Sequence, residues 1–234
     1  MAEGGKGVVS RVDVIQAFLS LYDRPEYLEV GVCTGATFHA LAADRKVAVD
    51  PAFRFDPAAA AADHPNCTYH AVESDTWFGT IAGRDERFDV IFLDGLHTFE
   101  QTLRDLINAL TLIRPGGVIV IDDIMPSSYA ASLPDLARFN RFREAAGVKR
   151  GTWMGDVYKL VFFIETFVQG YTFRCVAENH GQLVMWRAPR PSVPARTIAA
   201  LAAIGYEDAV LERERFRFTP LAAIVAEVRA ALGR

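Results

Sequence analysis

A chain of 234 residues, 51% hydrophobic and 23% charged, can bury a sizeable core in one medium domain, which excludes disordered, collagen-like and disulfide-scaffold classes. The formal net charge of −4 argues against a general phosphate-backbone binder, so no nucleic-acid partner is expected. Cys33, Cys67 and Cys175 are far apart and form no C-x-x-C, as in a cytoplasmic protein with reduced thiols, and neither a basic leader nor a membrane-spanning apolar run is present.

In chain order, residues 8–22 place Val12, Ile15, Phe18 and Leu19 at helical spacing, an amphipathic lead-in within an N-terminal segment of residues 1–24. Short apolar runs then alternate with helical stretches, the pattern of βαβ units and a mostly parallel sheet, hence an α/β fold. Strands are expected at 27–30, 46–50, 68–72, 88–94 and 118–122, because buried parallel strands are continuous apolar runs. Between the last two, Leu103, Leu106, Ile107 and Leu110 recur at i, i+3, i+4, i+7, and Thr98 with Gln101 fits a capping box, so a helix should begin just after Thr98. Pro115-Gly116-Gly117 is expected to end the connection and launch the next strand.

Residues 171–177 and 182–187 flank Glu178-Asn179-His180-Gly181 and suggest an antiparallel hairpin at one sheet edge. Three prolines in 188–195 mark a linker from the main domain, 25–187, to an appendage that completes 188–234. There Thr219 can cap a final helix, Pro220 suits its first turn, and Leu221, Ile224, Val225 and Val228 form its apolar face. That face could pack on its own domain or on a second copy in a homo-oligomer. Glu212-Arg213-Glu214-Arg215 mixes signs and reads as a solvated surface.

Glu29, Asp50, Asp94 and Asp122 each fall at or next to the C-terminal end of an expected strand, and Glu73, Ser74 and Asp75 follow another. Ligands of open α/β sheets bind outside those ends. Acids there pack poorly but can grip hydroxyls, amines or metal ions, so the row points to a site. The first βα turn, EVGVCTGAT from Glu29, is E-x-G-x-x-x-G, and Gly31 and Gly35 let its backbone approach a ligand. The dinucleotide fingerprint fits badly, since Cys33 and Ala36 stand where its second and third glycines would be. Asp50 follows about 20 residues later, where an acid commonly holds ribose hydroxyls. The loop suits a ligand with a free amino acid moiety and a nucleoside better than it suits a pyrophosphate.

YLEVGVCTGATF at 27–38, KVAVD at 46–50 and FDVIFLDGLHTFEQTLRDLINALTLIRPGGVIVIDDI at 88–124 together resemble the class I S-adenosylmethionine (SAM)-dependent methyltransferases. The last block resembles the small-molecule O-methyltransferase branch that contains macrolide-sugar O-methyltransferases, and so does GTWMGDVYKL at 151–160. The resemblance covers roughly residues 25–187 and implies a Rossmann-like, seven-stranded sheet ending in an antiparallel hairpin, with helices on both faces. It implies that Gly31 and Gly35 line the methionine part of SAM, that Glu29 helps hold that loop, that Asp50 takes the ribose hydroxyls, and that Glu73 or Ser74 lies near the adenine. Alternatives are a buried structural acid for Glu29 and a surface acid for Glu73.

Asp94 ends one strand and Asp122-Asp123 the next, so paired strands would bring three carboxylates into one region with no Lys or Arg in either segment. Such acids repel unless protonated or bound to a cation, and all-oxygen ligands suit Mg²⁺ or Mn²⁺; a plain turn is the alternative. The resemblance favours the metal, since metal-dependent members use acids at these positions. His97 lies three residues after Asp94, where a metal ion and a helix N-terminus disfavour imidazolium and suit a general base. The resembling sugar methyltransferases have a matching His as proposed base, whereas catechol-type enzymes have Lys. His39, His64, His70 and His180 read as ordinary surface residues. Asp156 is balanced between substrate contact and a helix cap, and Trp77, Trp153 and Tyr158 between pocket wall and core. Residues 124–156 suggest a lid.

The expected activity is Mg²⁺-dependent O-methylation of a hydroxyl on a small-molecule substrate, a sugar, natural-product diol or catechol, with His97 as base and Asp94 assisting. A NAD(P)-binding oxidoreductase and a non-catalytic SAM-binding protein are the alternatives.

Overall fold

Ser10 opens the first helix, α1 (Arg11–Leu19), with a reciprocal cap: its hydroxyl accepts from the Asp13 N–H while the Asp13 carboxylate takes the Ser10 N–H. The computed structural model describes residues 8–233 except Arg84, Arg150 and Val193, so the leader expectation for the first seven residues lies outside the described part. The chain continues through β1 (Glu26–Val30), α2 (Ala36–Ala40), β2 (Arg45–Val49), α3 (Pro57–Asp63), β3 (Cys67–His70) and the helical turn α4 (Ser74–Thr76). It then forms β4 (Phe88–Leu93), α5 (Phe99–Leu112), β5 (Ile113–Ile121), α6 (Leu136–Ala145), α7 (Lys159–Phe167), β6 (Tyr171–Val176) and β7 (Leu183–Arg187). The tail supplies α8 (Ile198–Ala202), α9 (Tyr206–Leu211), β8 (Phe218–Thr219) and α10 (Leu221–Ala231).

The strands form one sheet in the order β3-β2-β1-β4-β5-β7-β6-β8. The first five are parallel, and β7 runs antiparallel to both β5 and β6, the hairpin expected from the sequence. Seven strands follow the expected plan; the eighth is the two-residue β8, parallel to β6 through Cys175↔Phe218 and Val176↔Thr219. Two apolar layers cover the two sheet faces. One joins α5 and α7 through residues such as Leu106, Phe162 and Phe173, and the other joins α1 and α10 through Phe18, Phe92 and Ile224. No helix of the described residues is long and apolar enough to cross a membrane.

Three local expectations need correction. Pro115-Gly116-Gly117 lies inside β5, which starts at Ile113; the register slips from Phe88↔Ile113 to Val90↔Val118, so a bulge absorbs the turn-like residues. Thr219 does not cap the last helix, because β8 holds it and its hydroxyl donates to the Arg217 carbonyl. Pro220 stands at the cap, and the Glu178 carboxylate accepts the Leu221 N–H at 3.0 Å. Nor is the Glu212–Arg215 run simply solvated. Arg215 pairs at 3.0 Å with the buried Glu165 on α7, and Glu212 takes Arg196 and Arg215.

Candidate active site

Register builds the site. Val30 pairs with Val49 and Leu93, and Leu93 with Ile121, so Gly31, Asp50, Asp94 and Asp122 stand abreast just past four adjacent strand ends. Gly31, Asp50 and Asp94 line a cavity of about 650 Å³ at that edge. Of the expected site residues, Gly31, Asp50, Glu73, Ser74, Asp94, His97 and Asp123 line the cavity, while Glu29, Gly35 and Asp122 do not. Gly31 is required by geometry: its φ is +88°, and a Cβ there would sit 2.7 Å from the Gly95 Cα and nearer still to the Asp94 carbonyl. Gly35, at φ +76°, instead leads α2, with its would-be Cβ 2.5 Å from the His39 ring.

Asp50 fastens the first loop. One carboxylate oxygen accepts the Val32 and Cys33 N–H groups at 2.9 and 2.8 Å, and the other accepts the Ala52 N–H at 2.7 Å. On the neighbouring wall, Gln101 of α5 also lines the cavity and shares its amide among Ser74 (3.2 Å), Asp75 (2.9 Å) and Asp105 (3.2 Å). Sequence reading assigned Gln101 to a capping box. Its backbone N–H does meet Thr98 Oγ1, but its side chain ties α5 to the loop after β3.

The carboxylates have a cationic partner within the protein. Strand alternation aims Glu29, Asp94 and Asp122 toward the sheet face covered by α1. There Arg11 pairs through Nε with Asp122, and its Nη1 lies 3.8 Å from Asp94. The sequence reading found no cation near these acids and missed Arg11. Its signal was present: Arg11, Val14, Ile15 and Phe18 lie on one helical stripe, and the last three are fully buried. Burial disfavours the Arg11 charge, but Asp122, Asp94 and Asp123 outweigh it and raise its pKa.

Asp122 has a basic neighbour at each oxygen. The oxygen away from Arg11 receives the Asp123 N–H at 3.0 Å and faces His180 Nε2 at 3.1 Å. His180, which reads from sequence as an ordinary surface residue, thus reaches the cluster from the β6–β7 turn, and its bond to Asp122 raises its pKa. Asp94 is different. Burial, then the charge of Asp122, pushes its carboxyl well above the usual range, and its buried Oδ1 has no hydrogen-bond partner. Asp123, in the left-handed region at φ 57°, pairs with His97 Nδ1.

A cation therefore fits best beside Asp94. One ligand atom each from Asp94, His97 and Asp123 lie within 4.8 Å of one another, and a second such group joins Asp122, Asp123 and His180. Asp94 and Asp122, expected to share one ion, fall in different groups.

Glu29 lies beneath this cluster, 2% exposed, accepting the Tyr27 hydroxyl at 2.6 Å. Burial pushes its pKa up to about 8, against opposing contributions from Tyr27, Lys46 and Arg11. The native state then holds a proton that the unfolded chain releases near the ordinary value of 4.5, so stability falls as pH rises from about 4.5 to 8. Glu29→Gln keeps an acceptor for Tyr27 and should remove this component, gaining on the order of a few kcal/mol over the parent at pH 9 and little at pH 4. Urea unfolding of both proteins across that range checks it. An unchanged pH slope would refute it.

The segment after α6 braces the histidine. The Met154 and Gly155 N–H groups both donate to the Ala131 carbonyl, at 3.0 and 2.9 Å. The Trp153 ring lies 5.5 Å from the His97 ring, its indole N–H bonded to the Leu133 carbonyl. Asp156 is a cap, with its carboxylate accepting the Phe99 N–H at 2.7 Å at the start of α5. Trp77 and Tyr158 belong to the core, whereas Thr152 lines the cavity.

Comparison with known proteins agrees with this architecture. The family described as "Methyltransferase domain" matches residues 28–124. No curated protein sequence matches significantly. Among solved structures, a Staphylococcus aureus protein provisionally designated a caffeoyl-CoA O-methyltransferase is 14% identical, with a TM-score of 0.54, and the alignment covers 77% of this chain and 85% of that one. An O-methyltransferase from Bacillus cereus, in complex with SAH, is 16% identical, with a TM-score of 0.48 over 78% of this chain and 82% of that one. The mycinamycin-pathway methyltransferase MycE, in complex with Mg, SAH and mycinamycin VI, is 16% identical, with a TM-score of 0.48 over 78% of this chain and 50% of that one. The methyltransferase-domain match runs from within β1 to just past β5, the strands whose ends carry the cavity, and the fold is shared with the S. aureus structure.

Proposed function

We propose that the protein methylates a hydroxyl oxygen of a small molecule, with SAM as donor, His97 as general base and a divalent cation held beside it. The observation that carries this is the His97–Asp123 pair at the cavity wall, next to Asp94. Pairing of Nδ1 with a carboxylate commits that nitrogen as donor and leaves Nε2 to accept a proton. His97 Nε2 would take the acceptor's proton as its oxygen attacks the methyl carbon and the sulfonium becomes a thioether. Asp123 would hold the ring and stabilise the charge it gains. The S. aureus neighbour's designation supports oxygen as the methylated atom.

Gly31 would let the first loop close on the methionine part of SAM, with Gly35 and Glu29 supporting that loop from below. Asp50 has spent three acceptor positions on amides, and its remaining lone pair would serve the ribose. Glu73 and Ser74 would lie at the adenine. Asp94 and Asp123, joined by Asp122, would hold Mg²⁺, or Mn²⁺ in its place, which when bound would lower the acceptor's pKa and orient it. The acceptor class is a vicinal diol, as in a sugar, a polyketide-like diol or a catechol. The three free thiols suit a cytoplasmic setting.

Calorimetric titration tests the reading, with SAM as ligand, NAD⁺ as control, and Mg²⁺ absent and present. Saturable SAM binding without an NAD⁺ response is expected, followed by methyl transfer to vicinal diols that a chelator suppresses. Absence of SAM binding in both conditions would refute it.

A further inference from the structure

Both oxygens of Asp122 face a partner: Oδ2 ion-pairs with Arg11 Nε without the geometry of a hydrogen bond, and Oδ1 takes the Asp123 N–H and faces His180. Asp94 faces the same guanidinium with Oδ2 at 3.8 Å, yet its Oδ1 has no hydrogen-bond partner. A cation arriving from the cavity thus meets Asp94 and Asp123 at once. It reaches Asp122 only where Arg11 already sits.

We infer that Arg11 is a tethered rival of the divalent cation: it neutralises the Asp94–Asp122 pair in the metal-free protein and must swing away before a metal ion takes Asp122. This rests on the metal reading proposed above and adds the element that sets metal affinity. Three observations support it. Arg11 is the first residue of α1, and its side chain is 37% exposed and lines the cavity, so it has somewhere to go when it leaves the aspartates. The helix itself is anchored by Val14, Ile15, Phe18 and Leu19 and by the Ser10–Asp13 cap, so the side chain can leave without the helix moving. And the charges favour exchange: one guanidinium faces three aspartates, which a divalent ion balances better.

The experiment is direct Mn²⁺ binding to the full chain, read by the loss of the free-ion paramagnetic resonance signal, for the parent, Arg11→Gln and Arg11→Lys. Arg11→Gln should bind Mn²⁺ about tenfold tighter or more, with Arg11→Lys close to the parent, because the lysine keeps the competing charge. SAM affinity and far-ultraviolet dichroism of the variants should match the parent. Equal or weaker Mn²⁺ binding by Arg11→Gln would overturn the rivalry and leave the metal site standing. No Mn²⁺ binding by any of the three would overturn the metal reading and the rivalry with it. Where the glutamine variant folds poorly, the parent alone decides: Mg²⁺ should shift the Arg11 Nε–H nuclear resonance and speed its exchange with water, and an unmoved signal under saturating Mg²⁺ refutes the displacement.

Discussion

Replacing His97 by alanine should lower turnover near neutral pH by about 10²–10⁴-fold, the usual worth of a positioned general base. The deficit should shrink as pH rises, because a hydroxyl that ionises unaided no longer needs one. SAM affinity should change little, since the ring is held by Asp123 and Trp153 and not by the loop around Gly31. Paired pH–rate profiles of parent and variant on one acceptor decide the matter. A loss of the same size at every pH would assign His97 to positioning the acceptor.

Gly155→Ala should be nearly as damaging to turnover, although Gly155 touches no ligand. Its φ is +66°, and an added Cβ would lie 2.6 Å from the His97 carbonyl carbon and nearer still to its oxygen. Backbone cannot yield as a flexible side chain does, so the 152–156 loop must move. With it goes Asp156, and with Asp156 the Phe99 N–H at the start of α5. The expected cost is about 3 kcal/mol in denaturant unfolding, with a loss of turnover at pH values where His97 should act. Gly147→Ala is the internal control. That residue has the same φ of +66° but nothing within 4 Å of its would-be Cβ, so it isolates backbone strain, about 1–2 kcal/mol. Equal costs for the two substitutions would show that the contact with His97 is not what fixes the loop.

The strands were legible because five of them are short, mostly apolar runs, and the acids at or next to their C-terminal ends pointed to that edge of the sheet, where the cavity lies. What escaped has physical causes. Pro115-Gly116-Gly117 has the chemistry of a turn, and only the pairing with β4 reveals it as a bulge. Two residues, Phe218 and Thr219, are too few to show a strand period. Asp156 could be a cap or a ligand on local grounds; its partner lies 57 residues away, and tertiary structure alone supplies it. Arg11 and His180 come to the acids from the two ends of the domain fold, so no window containing Asp94 or Asp122 could include them. Arg11 was nonetheless visible in principle, as the charged member of an otherwise apolar stripe. Glu29 was expected either to help hold the first loop or to be a buried structural acid, and alternation turns it to the face below the cavity, where it accepts the Tyr27 hydroxyl.

The two-residue strand β8 has one further effect. By pairing with β6 at Cys175 and Val176 it covers part of one flank of the sheet, and the charged residues beside it are tied together there, Arg215 and Arg217 with Glu165 and Arg213 over the Phe218 ring. A short, charged border is a poor template for edge-to-edge aggregation. The opposite flank is also brief, the four residues of β3. Both margins of a strongly apolar sheet are thus guarded against the growth of intermolecular β-structure, one by its brevity and the other by a small strand returned from the far end of the chain.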